Sequence, residues 1–439
     1  MPWFSLEKPS ISRPEVESLC RRLVEECRAR LGNQPKRVLL LPPDRTRAHS
    51  GAGWITETIY QALALESEVH VIPTLGQHVP HTPQENRWMF GSIPEDRIHA
   101  HDWRGGVTRV GTIPATLVAE TTGGIADWDI PVDLNRSLME GDWDWIINIG
   151  HVVPHEVLGF ANHNKNYFIG LGGKETLCAS HIAAGVYGIE NNLGCLVTPL
   201  RACFNWAEKE FLGHLPDVYV QVVLRRDEIG NLVHTGVYVG DDLETYLQAA
   251  RKSQAENITL FSTPLPKVVA VMQGDEFFST WVANKAVYRT RMAMADGGEL
   301  LIIAPGLERF GEQPEIDRLI RKYGYDRTTN ILQLWKVNAD LQDLGNGTAH
   351  LLHGSSDGRF TIRYAPGKLS RSEIESVHYE YADLQKALRR YSPEKMQEGW
   401  NAMPDGEEVF FIQTPSAGLW AVEAKMRGRK DFVGQELGR

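Results

Sequence analysis

The sequence predicts an α/β fold, with two α/β domains that contain parallel or mixed sheets and a cleft between them that holds the site. The chain has 439 residues, 42% of them hydrophobic, which suffices for two or three domains at about 150 residues each. Three short apolar runs each end in a polar loop, and strand and helix patterns alternate again beyond a proline-rich stretch at 262–266. We place the boundary there, with an N-terminal domain over 1–265 and a C-terminal domain over 266–439.

The first domain begins with an amphipathic helix around 13–31 and continues with a β-α-β unit. Residues 37–44 predict a buried strand, 51–65 have helical spacing, and 69–76 predict a second strand. Residues 142–150 predict a third strand, which opens into a long loop rich in His, Asn and Gly. Since ligands of open α/β sheets bind outside the carboxyl ends of the strands, the three loops are predicted to wall one site.

The second domain begins with an apolar strand at 267–272. Asp275 is predicted to cap a helix that runs to about Ala295, and Gly297 and Gly298 to end it. A strand at 299–304 would follow. The short runs over 340–439 are compatible with either strand or helix.

Charge and composition narrow the class of partner. The net charge is −10 without long runs of one sign, which argues against a nucleic-acid or anionic-membrane surface and favours a small molecule. No apolar run reaches the length of about 18 residues that a membrane helix needs, so we expect a soluble, cytoplasmic protein. Five cysteines without a C-x-x-C pair predict reduced, mostly buried thiols.

Histidine is concentrated in one stretch, because ten of the fifteen lie between His49 and His181. This concentration indicates a metal or an acid/base site. In the first loop, Asp44, Thr46 and Arg47 follow a strand directly. The planar guanidinium of arginine suits a substrate carboxylate, and an ordinary ion pair in a solvated turn is the alternative.

The second and third loops carry most of these imidazoles. His78 and His81 in the second loop could serve as bases or metal ligands, or as ordinary surface histidines. In the third loop, His155 and His163 precede Lys165, and a second lysine follows at 174. The spacings H-x-x-E-H and H-E-x-x-H of zinc enzymes do not occur, so a zinc hydrolase remains an alternative without a motif.

Five separated motifs occur in a recognisable order. They are Asp44-x-Thr46-Arg47, Leu75-Gly76-x-His78-x-x-x-Thr82, Pro154-His155-x-x-x-Gly159-Phe160, and then Lys165 and His181, ten and twenty-six residues after His155. This set resembles the lactate racemase family, closely over about 45–185 and more loosely to about 310. That family uses a nickel-pincer nucleotide, pyridinium-3,5-bisthiocarboxylic acid mononucleotide nickel. The resemblance implies an isomerase that racemises or epimerises a 2-hydroxy acid by proton-coupled hydride transfer to and from this cofactor.

The resemblance also implies roles for single residues. It makes Lys165 the cofactor tether, His181 the nickel ligand, His78 and His155 the acid/base pair, Arg47 and Lys285 the substrate cations, and Asp44 and Thr46 the lining of the cofactor. It places the cofactor and the acid/base histidines in the N-terminal domain, which the C-terminal domain would close. It implies two kinds of partner, the 2-hydroxy acid and the cofactor-synthesis proteins.

The implied chemistry explains the residue types. Removing a proton from a carbon next to a carboxylate is difficult, whereas removing a hydride leaves a planar 2-oxo acid that can take the hydride back on either face. Two histidines on opposite faces can each move the hydroxyl proton, as inversion requires. Nickel held by two sulfurs and a carbon needs only one further donor, such as imidazole.

The sequence departs from the family pattern at two places. Ala161, Asn162 and His163 stand where relatives have Ser-Gly-Gly, and Val282 stands where they have glutamine, so a substrate other than lactate is expected. His163 would contact cofactor or substrate, or only fill space. Lys174 would contact the nucleotide phosphate or solvent, and Arg104 a second acidic group or solvent. A catalytically silent cofactor-binding homologue is the main alternative function.

Overall fold

The computed structural model describes residues 1–227, 231–272, 277–427 and 429. By its packing the chain forms two compact units, one of residues 1–179 with 196–256 and one of residues 180–195 with 257 onward. Each unit contains a mixed sheet flanked by helices, so the predicted α/β class is confirmed. The predicted domain boundary between residues 265 and 266 stays a prediction.

The elements of the first unit alternate along the chain. They are β1 (Phe4–Ile11), α1 (Arg13–Leu31), β2 (Arg37–Leu41), α2 (Ala52–Leu63), β3 (Glu68–Val71), α3 (Pro83–Phe90), β4 (Val107–Ile113), α4 (Ala115–Thr122), β5 (Ile130–Asn135), α5 (Arg136–Glu140), β6 (Trp145–His151), β7 (Pro154–His155), β8 (Gly159–Phe160), α6 (Lys174–Tyr187), α7 (Ile189–Asn192), α8 (Pro199–Ala207), β9 (Asp217–Arg226), β10 (Leu232–Gly240) and α9 (Leu243–Asn257). Short 3₁₀ turns cover Arg45–Ser50 and Glu95–Arg97, and π-helical turns cover Asn166–Gly170 and Glu208–Leu212. The last residues of α6, all of α7 and the last residue of α9 belong to the second unit.

The predicted helix over 13–31 matches α1, and its ends have a local cause. Ser12 forms a capping box with Glu15 at the start, and Gly32, at φ 75°, takes the left-handed conformation that ends the helix. The predicted β-α-β unit is β2, α2 and β3.

The first sheet has the order β1-β10-β9-β6-β2-β3. Strands β3, β2, β6 and β9 run parallel to one another, whereas β10 pairs antiparallel with both β9 and the edge strand β1. Leu40 on β2 and Ile149 on β6 pack in one core with Leu23 on α1 and Ile55 on α2, all fully buried. Burial of each such side chain contributes about 1.5–3 kcal/mol, so this core holds the strand ends in place.

The second unit is built in the same way. After α7 its elements are β11 (Ile258–Phe261), β12 (Leu265–Val271), α10 (Thr280–Ala283), α11 (Lys285–Thr290), β13 (Met294–Ala304), α12 (Pro314–Tyr323), α13 (Thr328–Val337), α14 (Ala339–Asp343), α15 (Gly345–Gly354), β14 (Thr361–Pro366), α16 (Arg371–Ser376), β15 (Glu380–Tyr381), α17 (Leu384–Arg390), β16 (Gly399–Ala402), β17 (Glu408–Ile412), β18 (Leu419–Val422) and α18 (Glu423–Arg427). Its main sheet has the order β15-β14-β13-β12-β17-β16, and only the β16–β17 pair is antiparallel.

The predicted helix from Asp275 to Ala295 is wrong in its extent. Asp275 lies outside the described residues, and the remaining stretch forms the two short helices α10 and α11 and then enters β13 at Met294. Gly297 and Gly298 lie inside this strand rather than at a helix end. There the register to β12 shifts, and Gly297 has a φ of 76°, so these glycines form a bulge.

None of the five cysteines, all of which are described, forms a disulfide, and all but Cys178 are buried, as the sequence predicts. Among the described residues, no helix combines the length and the apolarity that crossing a membrane requires.

Candidate active site

The loops that follow β2, β3 and β6 meet at one edge of the first sheet. The three strands are parallel neighbours, so their carboxyl ends share this edge. A parallel bridge joins Pro43 of the first loop to Thr74 of the second. The amide of Gly76 in the second loop donates to the carbonyl oxygen of Gly170 in the third, at 2.8 Å. The three loops therefore lie together, as the sequence predicts.

Asp44 holds His78 in a defined orientation. One carboxylate oxygen of Asp44 accepts from the amide of Thr46 at 2.9 Å and from its hydroxyl at 2.5 Å, and the other is hydrogen-bonded to Nδ1 of His78. Burial alone would raise the pKa of Asp44, but the interaction with His78, and then with Arg47 and Thr46, lowers it below its usual range. An ionised Asp44 keeps the imidazole proton on Nδ1, so Nε2 of His78 can accept a proton.

His155 has the opposite tautomer. It lies on the two-residue strand β7, opposite Gly159, whose φ of 75° closes this short hairpin. The backbone amide of Val157 donates to Nδ1 of His155 at 3.2 Å, which places the proton of the neutral ring on Nε2. A carboxylate oxygen of Glu156 lies 3.9 Å from that nitrogen. In its neutral form, His155 therefore presents an N–H rather than a lone pair.

Two left-handed residues precede Lys165. Asn162 has a φ of 68° and His163 a φ of 58°, although non-glycine residues rarely adopt this conformation. The π-helical turn Asn166–Gly170 starts directly after the lysine, and such turns are frequent at functional sites. This chain therefore keeps, with bulkier residues, a backbone that glycines would form without strain.

The amine of Lys165 is partly buried and lies near side chains of both charges. Loss of hydration, and then the positive charge of Arg47, lower the pKa of Lys165 to about 8, although Asp44 and Glu156 act against this shift. Lysine side chains otherwise titrate near 10.4. At neutral pH about a tenth of the Lys165 side chains thus carry an uncharged, nucleophilic amine.

Arg47 is anchored at one end of its guanidinium. Its Nη1 donates to the hydroxyl of Thr46 at 3.1 Å and to the carbonyl oxygen of Thr46 at 3.3 Å. The other guanidinium nitrogens make no hydrogen bond within the part of the chain that the structure describes. Two N–H groups in a fixed plane suit the two oxygens of a carboxylate.

His81 joins the first two loops instead of facing a ligand. Its Nε2 accepts from the backbone amide of Arg45 at 2.9 Å, so Nδ1 carries the proton and donates to Asn86 at 3.1 Å. Burial lowers the pKa of His81. Both ring nitrogens are thus used to hold the loops together.

The other residues with open roles have distinct surroundings. His163 is buried, its ring stacks on Tyr219 with the centroids 4.2 Å apart, and burial holds its pKa far below the usual value. Lys174 is exposed at the start of α6. The guanidinium of Arg104 lies 3.7 Å from the ring centroid of Trp103.

His181 and Lys285 belong to the second unit. His181 is partly exposed on α6, and Lys285 is the buried first residue of α11. Asn284, directly before Lys285, accepts from the hydroxyls of Tyr364 at 2.7 Å and Tyr379 at 3.2 Å. The start of α11 is therefore fixed by side-chain hydrogen bonds. Among the residues that are described in the two units, no group of three His, Cys, Asp or Glu side chains could hold a metal ion.

Sequence reasoning missed three charged residues of the first unit. Glu156 follows His155 directly, so its position beside the predicted base was a usable signal. Arg201 and Glu208 contact the loop before Lys165 through hydrogen bonds to Asn164. Both lie more than 35 residues further along the chain and in no motif, so only the tertiary structure could reveal them.

Comparison with known proteins gives one family and a shared fold. Residues 17–191 match the family model of the lactate racemase N-terminal domain. The whole chain resembles a crystal structure from Thermotoga maritima, with a TM-score of 0.79 and 24% identity over 95% of this chain and 100% of that one. It also resembles the lactate racemase apoprotein from Thermoanaerobacterium thermosaccharolyticum, with a TM-score of 0.65 and 16% identity over 94% of this chain and 93% of that one. The search of curated proteins found no match.

Proposed function

From the match of residues 17–191 to the family model of the lactate racemase N-terminal domain, we propose that this chain is a member of the lactate racemase family and a cytoplasmic racemase or epimerase of a 2-hydroxy acid. The observation that carries this proposal is the pair of imidazoles in opposite tautomers. His78 can accept a proton at Nε2, and neutral His155 can donate one hydrogen bond from Nε2. The two rings stand on separate loops that lie together at one edge of the first sheet.

The residues around Lys165 fit the nickel-pincer nucleotide. A thioamide tether forms from an uncharged amine, and the pKa of about 8 makes this form of Lys165 accessible near neutral pH. Thr46 and Asp44 would line the cofactor, and Asp44 orients His78 as well. The bound cofactor supplies the acceptor and donor of hydride. Cofactor-synthesis proteins are the partners that would load it.

The chain's own residues handle the substrate and its proton. Arg47 binds the carboxylate of the 2-hydroxy acid, which orients the hydroxyl group. His78 takes the hydroxyl proton through Nε2, and the charge of Asp44 stabilises the resulting imidazolium. For the other hand of the substrate, His155 is the proposed acid/base residue. Its neutral ring carries the proton on Nε2, so it must first move that proton to Nδ1, away from the Val157 amide, before Nε2 can take the hydroxyl proton. In the second unit, Lys285 is proposed as a further substrate cation and His181 as the nickel ligand.

The test uses the full chain produced together with the cofactor-synthesis proteins. We expect nickel at about one equivalent, a mass increase located on Lys165, and inversion of at least one acid in a panel of lactate, malate, 2-hydroxyglutarate, longer aliphatic acids and sugar acids. Chiral chromatography measures the inversion. Deuterium at the inverted carbon should be retained, because a hydride does not exchange with solvent.

Each other outcome rejects a defined part of this proposal. Loaded protein that inverts no acid of the panel supports a catalytically silent cofactor-binding homologue. Deuterium loss to solvent would contradict hydride transfer. One equivalent of zinc, with hydrolytic activity that chelation abolishes, would support a zinc hydrolase.

A further inference from the structure

Arg201 is a buried cation whose guanidinium donates to three residues of one segment, residues 160–164. It lies on α8, is 1% exposed, and donates from Nη2 to the carbonyl oxygen of Phe160 at 2.6 Å. Both Nη atoms reach the carbonyl oxygen of Asn162, at 3.4 and 3.5 Å, and Nη1 also donates to the side-chain oxygen of Asn164. The hydroxyl of Tyr246, whose ring lies under the guanidinium, donates to Phe160 as well, at 3.2 Å.

Asn164 is held from both sides. Its oxygen accepts from Arg201, and its amide nitrogen donates to Asn205 at 2.7 Å and to the carboxylate of Glu208 at 2.9 Å. Glu208 is the only carboxylate among the hydrogen-bond partners of Asn164 in the described chain, and it begins a π-helical turn. The side chain directly before Lys165 therefore connects a buried cation to a partly buried carboxylate.

This arrangement explains why the segment keeps its unusual backbone. The carbonyl oxygens of Phe160 and Asn162 flank this left-handed turn and lie in the interior, where an unpaired oxygen would be costly. The planar guanidinium of Arg201 satisfies both oxygens and the Asn164 side chain at once. A lysine in its place has one nitrogen and cannot reach all three.

We propose that Arg201 is a positioning residue, which with Asn164 and Glu208 holds segment 160–164 so that the amine of Lys165 stays poorly hydrated and nucleophilic. The inference rests on the proposed role of Lys165 as cofactor tether. It assigns no contact with substrate or cofactor to Arg201. It concerns the chain before the cofactor is attached, so it can be tested without activity.

The test measures the amine of Lys165 in the unloaded full-length protein. Acetic anhydride labels it over a range of pH, and peptide mass spectrometry gives the rate and the midpoint of labelling. Arg201→Lys keeps the positive charge but loses the planar fork. We expect its labelling midpoint to rise by about one pH unit, which lowers the uncharged fraction at pH 7 about tenfold, and the adduct yield after co-production to fall with it.

Matched variants separate positioning from general destabilisation. Arg291→Lys changes another buried arginine, which bonds the carbonyl oxygens of His353 and Ser355 in the second unit, and should leave Lys165 labelling unchanged. Asn164→Ala removes the connection to Glu208 but keeps the Arg201 bonds to the backbone, and should shift the midpoint in the same direction as Arg201→Lys.

The outcomes distinguish this inference from the proposed function. The inference would be overturned if the labelling midpoint of Lys165 in both Arg201→Lys and Asn164→Ala equalled that of the wild type. It would also be overturned if Arg291→Lys shifted this midpoint as much as Arg201→Lys does. If labelling changes as expected but the wild-type protein never acquires the cofactor adduct, the positioning role of Arg201 is supported and the proposed role of Lys165 as cofactor tether is rejected.

Discussion

Replacement of Asp44 by asparagine tests how His78 is made a base. The carboxylate accepts three hydrogen bonds with two oxygens, two from Thr46 and one from His78. An asparagine has one oxygen, which would keep the bonds to Thr46, so its amide group would face Nδ1 of His78. Two donors cannot bond each other, and the imidazole would shift its proton to Nε2, where the lone pair is needed.

The expected effect on catalysis is large. General base catalysis contributes a factor of about 10²–10⁴ to the rate. The kcat of the loaded Asp44→Asn protein should therefore decrease by a factor in this range. Stability should change less. A lost charge-assisted hydrogen bond costs about 1.5–3 kcal/mol, and removing a buried charge offsets part of that cost.

Two assays check this prediction, and one does not need activity. Nitrogen NMR of the histidine rings should show the His78 proton on Nδ1 in the wild type and on Nε2 in Asp44→Asn. Asp133→Asn is the control, because Asp133 is also buried and pairs with Arg109 but lies outside the proposed machinery. An Asp44→Asn protein with the wild-type tautomer and kcat would refute the reasoning.

Three further predictions follow from the same unit. Burial, then the charge of Glu208, raise the pKa of Asp217 to about 7, so the folded protein holds a proton that the unfolded chain releases near pH 3.9. The free energy of unfolding therefore falls as pH rises from about 3.9 to about 7, by up to about 1.4 kcal/mol per pH unit. Asp217→Asn should raise the free energy of unfolding more at pH 8 than at pH 5, as measured by denaturant titration. Equal increases at the two pH values would contradict this. A Cβ at Gly150 would lie 2.5 Å from the side-chain oxygen of Asn162, so Gly150→Ala should lower the free energy of unfolding by about 1–3 kcal/mol and slow Lys165 labelling, and an unchanged Tm would argue against it. Lys165→Met should abolish the mass increase after co-production, and an adduct that persists would move the tether elsewhere.

Much of the fold followed from local pattern. The helix Arg13–Leu31 has a capping serine, apolar residues at helical spacing and a terminal glycine, all within its own segment. The prediction of a helix that runs to Ala295 was wrong because a Gly-Gly pair such as Gly297 and Gly298 is compatible with either a helix end or a bulge in a strand. Pairing with a strand that begins at Leu265, and nothing in the local sequence, decides between them.

At the candidate site, too, some features follow from local sequence and others depend on tertiary contacts. Asp44, His78 and His155 each follow or end a strand, so the meeting of their three loops at one sheet edge could be predicted from topology. The tautomers could not, because they depend on a carboxylate 34 residues away for His78 and on a backbone amide at Val157 for His155.

The sequence by itself determined which residue types stand at the carboxyl ends of the parallel strands, since strand periodicity and loop composition are local properties. Only the tertiary structure decided how the chain supports them. Arg201 and Glu208 reach Asn164 across 37 and 44 positions of sequence. Hydrogen bonds between segments so far apart depend on packing, which no local pattern encodes.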